Sequence, residues 1–424
     1  MGSGRTTAAV DPSGRAPSGR TRRRLALDGR EFVAILAACM GTAGLAVDLM
    51  LPAFADIRAD LGLAADDPSV SWIVTGFYIG VAAGQLIYGP LSDRFGRKPM
   101  LLAGLALYAC GAVLAALSSS LAVFVACRVL WGLGAAAPRC LAVAMVRDVF
   151  GDVRMARTMS LVMAIFVMVP IVAPGVGAVA LGVLSWRTLS IIPIATSAGL
   201  ALWSIRLPET HPPHLRRSVA PSVLLEACSI VVRNRQTVAF GLVLTAMFGI
   251  ATTMVGSLEL ITSDVFGHRR MFPLLFGLNA CTVAAGALVG ARLVARLGTR
   301  GLMRLVAAYL VVVASSQALA ALAFGGRPPM WLFFVLLAGV RPTISLLTPS
   351  SNTAAMAPMG RVAGMASAVL GAFSTAGGAL LGSRVDAAFD GTVRPFAFGI
   401  LALAAVVWVL VDVSARWSRG ATDS

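Results

Sequence analysis

Five ionisable side chains lie inside long apolar segments of the sequence, where a charge is unfavourable. They are Asp48, Arg128, Arg139, Glu259 and Arg341. A charge at the centre of a membrane-spanning helix costs about 2.5 to 3.5 kcal/mol on insertion scales, so such residues are expected to face a cavity or a partner. Carboxylates among guanidinium groups in a cavity can bind and release protons, or hold a polar substrate.

Asp48 is the residue that fits proton coupling best. It follows the start of its apolar segment by about 17 residues, or about 25 Å of helix, so a cavity open to the outer side would reach it. Partial loss of water favours the protonated carboxyl, and a cationic or hydrogen-bonding substrate favours the carboxylate. A proton and a substrate would therefore compete at one site. The structural alternative is that Asp48 caps or pins a helix bend at Pro52.

The other four charged residues have a functional and a structural interpretation each. Arg128 is predicted to reach the depth of Asp48, or else to anchor its helix end by extending toward the interface. Arg139 and Arg341 lie deeper, where each would neutralise an acid, bind an anionic substrate group or satisfy the carbonyl groups of a helix break. Glu259 is a candidate cavity residue, but its place near the outer end of its segment favours a solvated position.

Two uncharged polar residues, Tyr78 and Gln85, are predicted to line the same cavity because of their polarity. The three histidines, His211, His214 and His268, lie in connecting segments, and the glycine-rich stretches favour helix packing rather than phosphate binding. We therefore predict no catalytic residues, no metal and no cofactor. A proton gradient is the expected energy source, since one charge crossing 100 mV is worth about 2.3 kcal/mol.

The elements that must position these residues follow from composition. The chain has 424 residues, of which 58% are hydrophobic and only 13% are charged, and its mean hydropathy is +0.85. Soluble domains carry about 25% charged residues, so a water-soluble enzyme is excluded. Twelve helices of roughly 20 residues need about 240 positions, which this length supplies. The sequence predicts an all-α polytopic membrane protein with twelve transmembrane helices in two six-helix bundles.

The twelve apolar segments cover residues 31–52, 70–90, 99–118, 120–146, 157–181, 186–206, 237–262, 272–295, 301–323, 330–352, 361–384 and 393–415. With both termini inside, most of the 35 Lys and Arg residues fall on the cytoplasmic side. This asymmetry sets the orientation of a membrane protein in the cytoplasmic membrane. It also explains the formal net charge of +16 without a nucleic-acid partner.

An internal repeat divides the chain into two halves. A shift of about 202 residues aligns Val81, Ala83, Gly84, Leu91, Arg94 and Gly96 with Val283, Ala285, Gly286, Leu293, Arg296 and Gly298. The predicted organisation is a disordered basic cytoplasmic tail (1–30), an N-terminal bundle (31–206), a cytoplasmic linker (207–236), a C-terminal bundle (237–415) and a second cytoplasmic tail (416–424). Parallel repeats of six spans place a substrate site at their interface near the membrane midplane.

The most distinctive short motif is Gly-Pro-Leu-Ser-Asp-Arg-Phe-Gly-Arg-Lys-Pro, over residues 89–99, in a tight connection between the second and third spans. Its predicted conformational-switch residues are Gly89, Asp93, Arg94, Gly96 and Arg97. Gly89 would allow close approach of another helix, Gly96 would form the turn, and Asp93 would accept hydrogen bonds from a helix N-terminus. The alternative is a charged hairpin that only fixes topology.

This motif resembles the signature loop of the major facilitator superfamily. Further resemblance lies in Asp48 to Pro52, Arg128 to Gly134, Pro170 to Gly177 and Leu207 to Thr210. Together these segments resemble the twelve-span drug:proton antiporters of the bicyclomycin, chloramphenicol and florfenicol exporter group. The resemblance covers roughly residues 31 to 415.

The resemblance implies roles for particular residues. The arginine that matches Arg128 has a role in proton transfer in this group. The helix break in the fifth span, which is associated with exporters rather than importers, corresponds to Pro170, Pro174, Gly175 and Gly177. Some positions depart from the pattern, because Met50 and Trp131 replace a common tyrosine and glutamine, and Ala295 stands where the second half would repeat Asp93.

The sequence therefore predicts a monomeric secondary transporter, not an enzyme, that lies in membrane lipid and exchanges protons for a small-molecule substrate. We expect proton-coupled efflux of small amphiphilic drugs, such as an amphenicol-type antibiotic or a related metabolite, by alternating access. Two alternatives remain. One is a proton-coupled importer of a sugar or an organic anion, and the other is a membrane scaffold or sensor that transports nothing.

Overall fold

Residues 29–212 and 221–420 are described by the structure, which is a computed structural model, and they contain helices but no strand. The predicted first tail falls almost entirely on residues outside this range, as do part of the linker (213–220) and the end of the last tail (421–424). The α-helices are α1 (Gly29–Asp48), α2 (Phe54–Asp60), α3 (Trp72–Phe95), α4 (Arg97–Ala116), α5 (Leu121–Val149), α6 (Asp152–Leu181), α7 (Trp186–Leu189), α8 (Ile191–Ser204), α9 (Pro221–Arg233), α10 (Arg235–Leu260), α11 (Phe272–Ala323), α12 (Met330–Met356), α13 (Ala363–Ala387) and α14 (Arg394–Gly420).

Eleven helical segments in the described ranges are long and apolar enough to cross a membrane. α11 provides two of them, because its backbone is not helical at Gly298, where φ is 68°. The predicted sixth span, 186–206, is different, because it consists of α7 and α8 with 4 and 14 residues. Pro193 has no N–H to donate to the carbonyl of Leu189, so the helix is interrupted at that point. α8 nevertheless packs against α1 and α4, in the place of a sixth helix of the first half.

Two helix boundaries differ from the sequence prediction in ways that matter for the site. The first span was predicted to end at residue 52, but α1 ends at Asp48 and a short 3-10 turn, Leu51–Ala53, follows. The second span was predicted to end at residue 90, but α3 continues to Phe95. The motif over residues 89–99 is therefore mostly helical, and only Gly96, with φ of 104°, lies between α3 and α4.

The helices pack as two bundles. Helices α1 to α8 contact one another, as do α10 to α14, and the bundles meet where α3 packs on α13 and α6 packs on α11. Very close approaches hold the N-terminal bundle together, since a Cβ atom on Gly132 of α5 would lie 1.9 Å from the carbonyl oxygen of Phe77 on α3. We call the end of the molecule that contains residues 89–99 the motif end, and the other end of the helices the opposite end.

Candidate functional site

Asp48 lies at the C-terminal end of α1, at the break that leads into the Leu51–Ala53 turn, and its side chain is only 5% exposed. The backbone N–H groups of Leu49 and Met50 donate to carbonyl groups of α1, at 3.2 Å each. No hydrogen bond from residues 49–53 to the Asp48 carboxylate is found. The structure thus gives no support to Asp48 as a cap of this bend, which leaves the carboxylate for another role.

Helix α6 fixes the backbone beside Asp48. A Cβ atom on Gly177 would lie 2.2 Å from the carbonyl oxygen of Leu49, so only glycine allows this approach. The Asp48 carboxylate points along the face of α1 that carries Gly44, where a Cβ atom would lie 3.6 Å from Oδ2 of Asp48 and 3.0 Å from Val169 of α6. The acid is therefore positioned between α1 and α6.

Arg341, on α12 of the C-terminal bundle, is close enough to Asp48 for an electrostatic interaction. No ion pair within 4.0 Å joins Asp48 to any described basic residue. Arg341 is 7% exposed, and its Nε and Nη2 atoms are buried without a hydrogen-bond partner in the described part of the chain. Its guanidinium carbon lies 5.1 Å from the ring centroid of Phe276 on α11. An acid and a cation from the two halves thus act on each other without direct contact.

Arg128 is fully enclosed by the N-terminal bundle. Its Nε donates to the carbonyl of Ile73 at 3.2 Å, and its Nη1 donates to the carbonyl of Ala46 at 2.9 Å. The guanidinium carbon lies 4.7 Å from the ring centroids of both Phe77 and Trp131, within the range of cation–π attraction. Arg128 is 1% exposed, so it is not an interfacial anchor. It lies at the depth of Asp48, but it binds α1 through the backbone.

Two predicted cavity residues bridge the bundles. The ring of Tyr78 on α3 packs edge-on against Phe248 on α10, with centroids 5.0 Å apart. The amide of Gln85 donates to Thr375 on α13 at 3.2 Å. Tyr78 also lies within electrostatic range of Asp48, Arg128 and the half-buried Arg139. A continuous set of polar groups therefore extends from α1 across α3 to the C-terminal bundle.

The structure corrects the prediction that Glu259 is solvated. Its carboxylate accepts two hydrogen bonds from Nη2 of Arg58 on α2, at 3.0 and 3.3 Å, and both side chains are at most 2% exposed. A second, exposed ion pair between the bundles joins Arg269 to Asp56 at 2.9 Å. α1 and α10 both run from the motif end, so these pairs close the opposite end of the molecule. Arg58 was missed because it lies outside the predicted spans.

The motif residues form a network around Arg97. Its side chain pairs with Asp93 at 2.7 Å and with Asp148 at 3.1 Å. Asp93 was expected to accept hydrogen bonds from a helix N-terminus. Glu209 does so instead, because its carboxylate accepts hydrogen bonds from the backbone N–H groups of Arg97 and Lys98, at the start of α4, at 2.9 and 3.3 Å.

Gly89 and Arg94 take smaller parts in this motif. A Cβ atom on Gly89 would have no atom within 4 Å, so the expected close approach at that residue is wrong. The Arg94 guanidinium lies over the Phe95 ring at 5.1 Å.

The sequence profile of the Major Facilitator Superfamily matches residues 36–382, which include most of both bundles and the whole polar set described above. The chain belongs to the Major Facilitator Superfamily. It is a multi-pass membrane transporter and not an enzyme.

Relatives in this superfamily include drug-resistance proteins. The chain is 27% identical to the bicyclomycin resistance protein homolog of Haemophilus influenzae over 83% of this chain and 88% of the relative. It is 29% identical to the chloramphenicol resistance protein of Pseudomonas aeruginosa over 89% of both chains. The fold matches the partially occluded, inward-open structure of the xylose transporter XylE from E. coli, with a TM-score of 0.69 and 12% identity over 91% of this chain and 97% of that one.

The helix break predicted for this Major Facilitator protein lies within α6. Pro170 and Pro174 interrupt its backbone hydrogen bonds but α6 remains one helix. Gly177 makes the close approach to α1, whereas a Cβ atom on Gly175 would meet no atom within 4 Å. Of the two glycines, therefore, only Gly177 has the packing role expected of both.

Proposed function

We propose that this transporter is a proton-coupled exporter of small amphiphilic molecules that works by alternating access. The observation that carries the proposal is the buried carboxylate of Asp48, held beside a helix break in one bundle and within electrostatic range of Arg341 in the other. An intramembrane acid of this kind is a functional residue by default, because its burial is unfavourable.

Proton coupling follows from the charge of Asp48. When Asp48 is ionised, it attracts Arg341 and so favours arrangements that bring α1 and α12 together. When it is protonated, that attraction is lost, and a different arrangement of the bundles becomes more populated. A ligand shifts such an equilibrium only by its different affinity for the two states. The proton meets this condition, because it removes the attraction between Asp48 in one bundle and Arg341 in the other.

Substrate binding supports the same scheme. The aromatic pair Tyr78 and Phe248 and the amide of Gln85 provide apolar surface and hydrogen bonds at the bundle interface. An interface with these groups suits a molecule with an aromatic ring and polar substituents, which would bind where they separate. Amphenicol-type antibiotics and related metabolites have that chemistry, and the chloramphenicol and bicyclomycin resistance relatives support this choice of substrate class.

The orientation is part of the proposal. The excess of Lys and Arg in the connections at the motif end supports a cytoplasmic position for that end and for both termini. The Arg58–Glu259 pair then closes the external side, so the structure corresponds to a state that is closed to the outside. Fusions of the C-terminus to green fluorescent protein and to alkaline phosphatase test this, since only the first should be active.

The deciding experiment uses cells and inverted membrane vesicles that contain the parent, Asp48→Asn or Asp386→Asn. Asp386 is a matched control because it is also a buried acid, but it lies on α13 and accepts a hydrogen bond from Ser257, which an asparagine oxygen retains. We expect the parent to confer amphenicol resistance and to release protons from energised vesicles when drug is added. Asp48→Asn should reach the membrane in equal amount and lose both activities. Unchanged drug-driven proton release in Asp48→Asn would refute the proposal.

A second candidate is proton-coupled uptake of an organic anion. It is favoured by the two buried nitrogen atoms of Arg341 that lack a described hydrogen-bond partner, because a carboxylate would bind them well. Transport of labelled organic acids into right-side-out vesicles distinguishes this function from drug export out of the cell.

A further inference from the structure

A cavity of about 240 Å³ opens at the motif end of the C-terminal bundle. Its floor is apolar and consists of Phe240, Met303 and Val411, all buried, from α10, α11 and α14. Its polar wall includes Arg300 and Arg304. The share of liquid volume per water molecule is about 30 Å³, so the cavity has room for a small charged group with several waters. It is separate from the polar set around Asp48.

The residues that line this cavity include two arginines and no acidic residue. Arg300 and Arg304 are four residues apart, so they lie on the same face of α11, where two like charges are destabilising. Neither side chain makes an ion pair within 4.0 Å with a described acidic residue. The Nε atom of Arg304 is buried and has no hydrogen-bond acceptor in the described ranges. An anion that entered the cavity would satisfy this donor and relieve the repulsion.

In the corresponding region of the N-terminal bundle, acidic residues neutralise the positive charge. There, Arg97 and its backbone are neutralised by Asp93, Asp148 and Glu209. The shift of 202 residues replaces these three acids by Ala295, Ser350 and Val411, while Arg97 becomes Thr299 and Lys98 becomes Arg300. Asp412 is the nearest acid in sequence to this wall on α14, but it is not among the residues that line the cavity. The C-terminal bundle thus keeps one cation at a matching position, Arg300, adds Arg304 in place of Leu102, and lacks the three matching carboxylates.

We propose that this cavity binds an anion that carries a phosphate group, either the phosphodiester of an anionic phospholipid or free phosphate. Arginine forms paired hydrogen bonds with phosphate oxygens, and these charge-assisted bonds are stronger than neutral ones. The hydroxyl group of Thr299, which also lines the cavity, is a further donor. Basic pockets between membrane helices on the cytoplasmic side are a recurrent form of headgroup site. The bound group stabilises the C-terminal bundle by joining α10, α11, α12 and α14.

The test uses the purified full-length protein in detergent, stripped of lipid. Phosphatidylglycerol, phosphatidylcholine or inorganic phosphate is added, the unfolding midpoint is measured, and bound lipid is counted by native mass spectrometry. We expect phosphatidylglycerol to raise the midpoint and phosphatidylcholine to leave it unchanged. Arg300→Gln/Arg304→Gln should weaken phosphatidylglycerol binding at least about tenfold, the equivalent of about 1.4 kcal/mol. The matched control, Arg292→Gln/Arg296→Gln, removes two exposed arginines that precede the helix break at Gly298 in α11 and do not line the cavity.

The outcomes distinguish the source of the phosphate and the validity of the site. If inorganic phosphate protects the parent as well as the lipid does, and the double variant abolishes both effects, the ligand is free phosphate. If only the lipid protects, the ligand is the headgroup. Equal lipid binding by the parent and the double variant, or an equal loss in the control, would overturn the proposal. If the double variant does not fold, Arg300→Gln alone decides, because this residue is exposed. None of these measurements depends on transport activity.

Discussion

The buried ion pair between Arg58 and Glu259 joins the two bundles at the end opposite the motif, and alternating access requires that end to open. We expect Glu259→Gln to shift the protein toward the state in which this end is open. Both side chains are at most 2% exposed, so solvent screens the pair very little. In the open state the two groups become hydrated. Losing the ion pair therefore destabilises the closed state and has almost no effect on the free energy of the open state.

The size of the shift follows from the geometry. Removing one partner of a buried ion pair costs about 3 to 5 kcal/mol, because the other charge remains buried. Glutamine keeps one oxygen that accepts a hydrogen bond from Nη2 of Arg58, and a bond to a charged group contributes about 1.5 to 3 kcal/mol. The difference between the two, end for end, is about 1.5 to 2 kcal/mol. It corresponds to a change of about 10- to 30-fold in the ratio of closed to open molecules.

The assay measures distances between spin labels on the two bundles. Cysteines at Asp66 and Asp264 are suitable, because both residues are exposed at the opposite end, one in each half of the chain. The six native cysteines are replaced first. The parent should give mainly the short distance of the closed end. Glu259→Gln should give a long distance as a major population under the same conditions.

Two further variants show whether the reasoning is correct. Asp56→Asn breaks the exposed pair with Arg269 at the same end, and exposed pairs contribute only about 0 to 1 kcal/mol, so it should change the distances little. Arg58→Gln/Glu259→Gln removes both charges and should recover part of the closed population. An unchanged distance distribution in Glu259→Gln, or an equal shift in Asp56→Asn, would show that the buried pair does not hold this end closed.

Four other substitutions have expected outcomes. Gly132→Ala should prevent folding, because the new Cβ atom would lie 1.9 Å from the Phe77 carbonyl oxygen. Gly89→Ala should be tolerated, because its Cβ atom would meet no atom within 4 Å. The yield of monodisperse protein after solubilisation measures both effects. Arg128→Lys should lower the unfolding midpoint, since a lysine cannot donate to two carbonyl groups and stack on two rings at once; a thermal melt of the purified protein shows this. Glu209→Gln should destabilise the N-terminal bundle by about 0.3 to 1 kcal/mol, because it removes a negative charge from a helix N-terminus, and the same melt at low salt is the measurement.

The spans were predictable from sequence because a lipid-exposed segment must satisfy all of its backbone hydrogen bonds internally, which requires a long apolar helix. The exception was the sixth span, where the apolar run is continuous but Pro193 interrupts the helix. Hydropathy reports the environment of a segment and not the integrity of its backbone. For the same reason, α3 extends past its apolar residues to Phe95, because helix formation does not stop at the membrane surface.

The site was less predictable, because its contacts depend on which faces of the helices meet. Glu259 was predicted to be solvated because it lies near the end of a span. Its partner, Arg58, lies 201 residues away in the sequence, in a seven-residue helix. The sequence around Arg58 does not indicate a contact with Glu259, and the sequence around Glu259 does not indicate a contact with Arg58. Arg128 was expected beside Asp48, but it binds the carbonyl of Ala46 on another face of α1. Helical periodicity separates residues 46 and 48 by about 200°, so depth alone does not bring two side chains together.

These contacts explain how a single proton can act on a whole bundle. The backbone on either side of Asp48 is fixed within the N-terminal half, by Arg128 at Ala46 and by Gly177 at Leu49. Among the described residues, the side chain itself interacts across the interface with Arg341 alone, through its charge. In the proposed mechanism, protonation of Asp48 removes this interaction between the bundles and leaves the packing of α1 intact. Because a coupling between two sites is reciprocal, a change in the relative position of the bundles must alter the proton affinity of Asp48 in turn. This reciprocity is what allows the proton gradient to drive transport in our proposal.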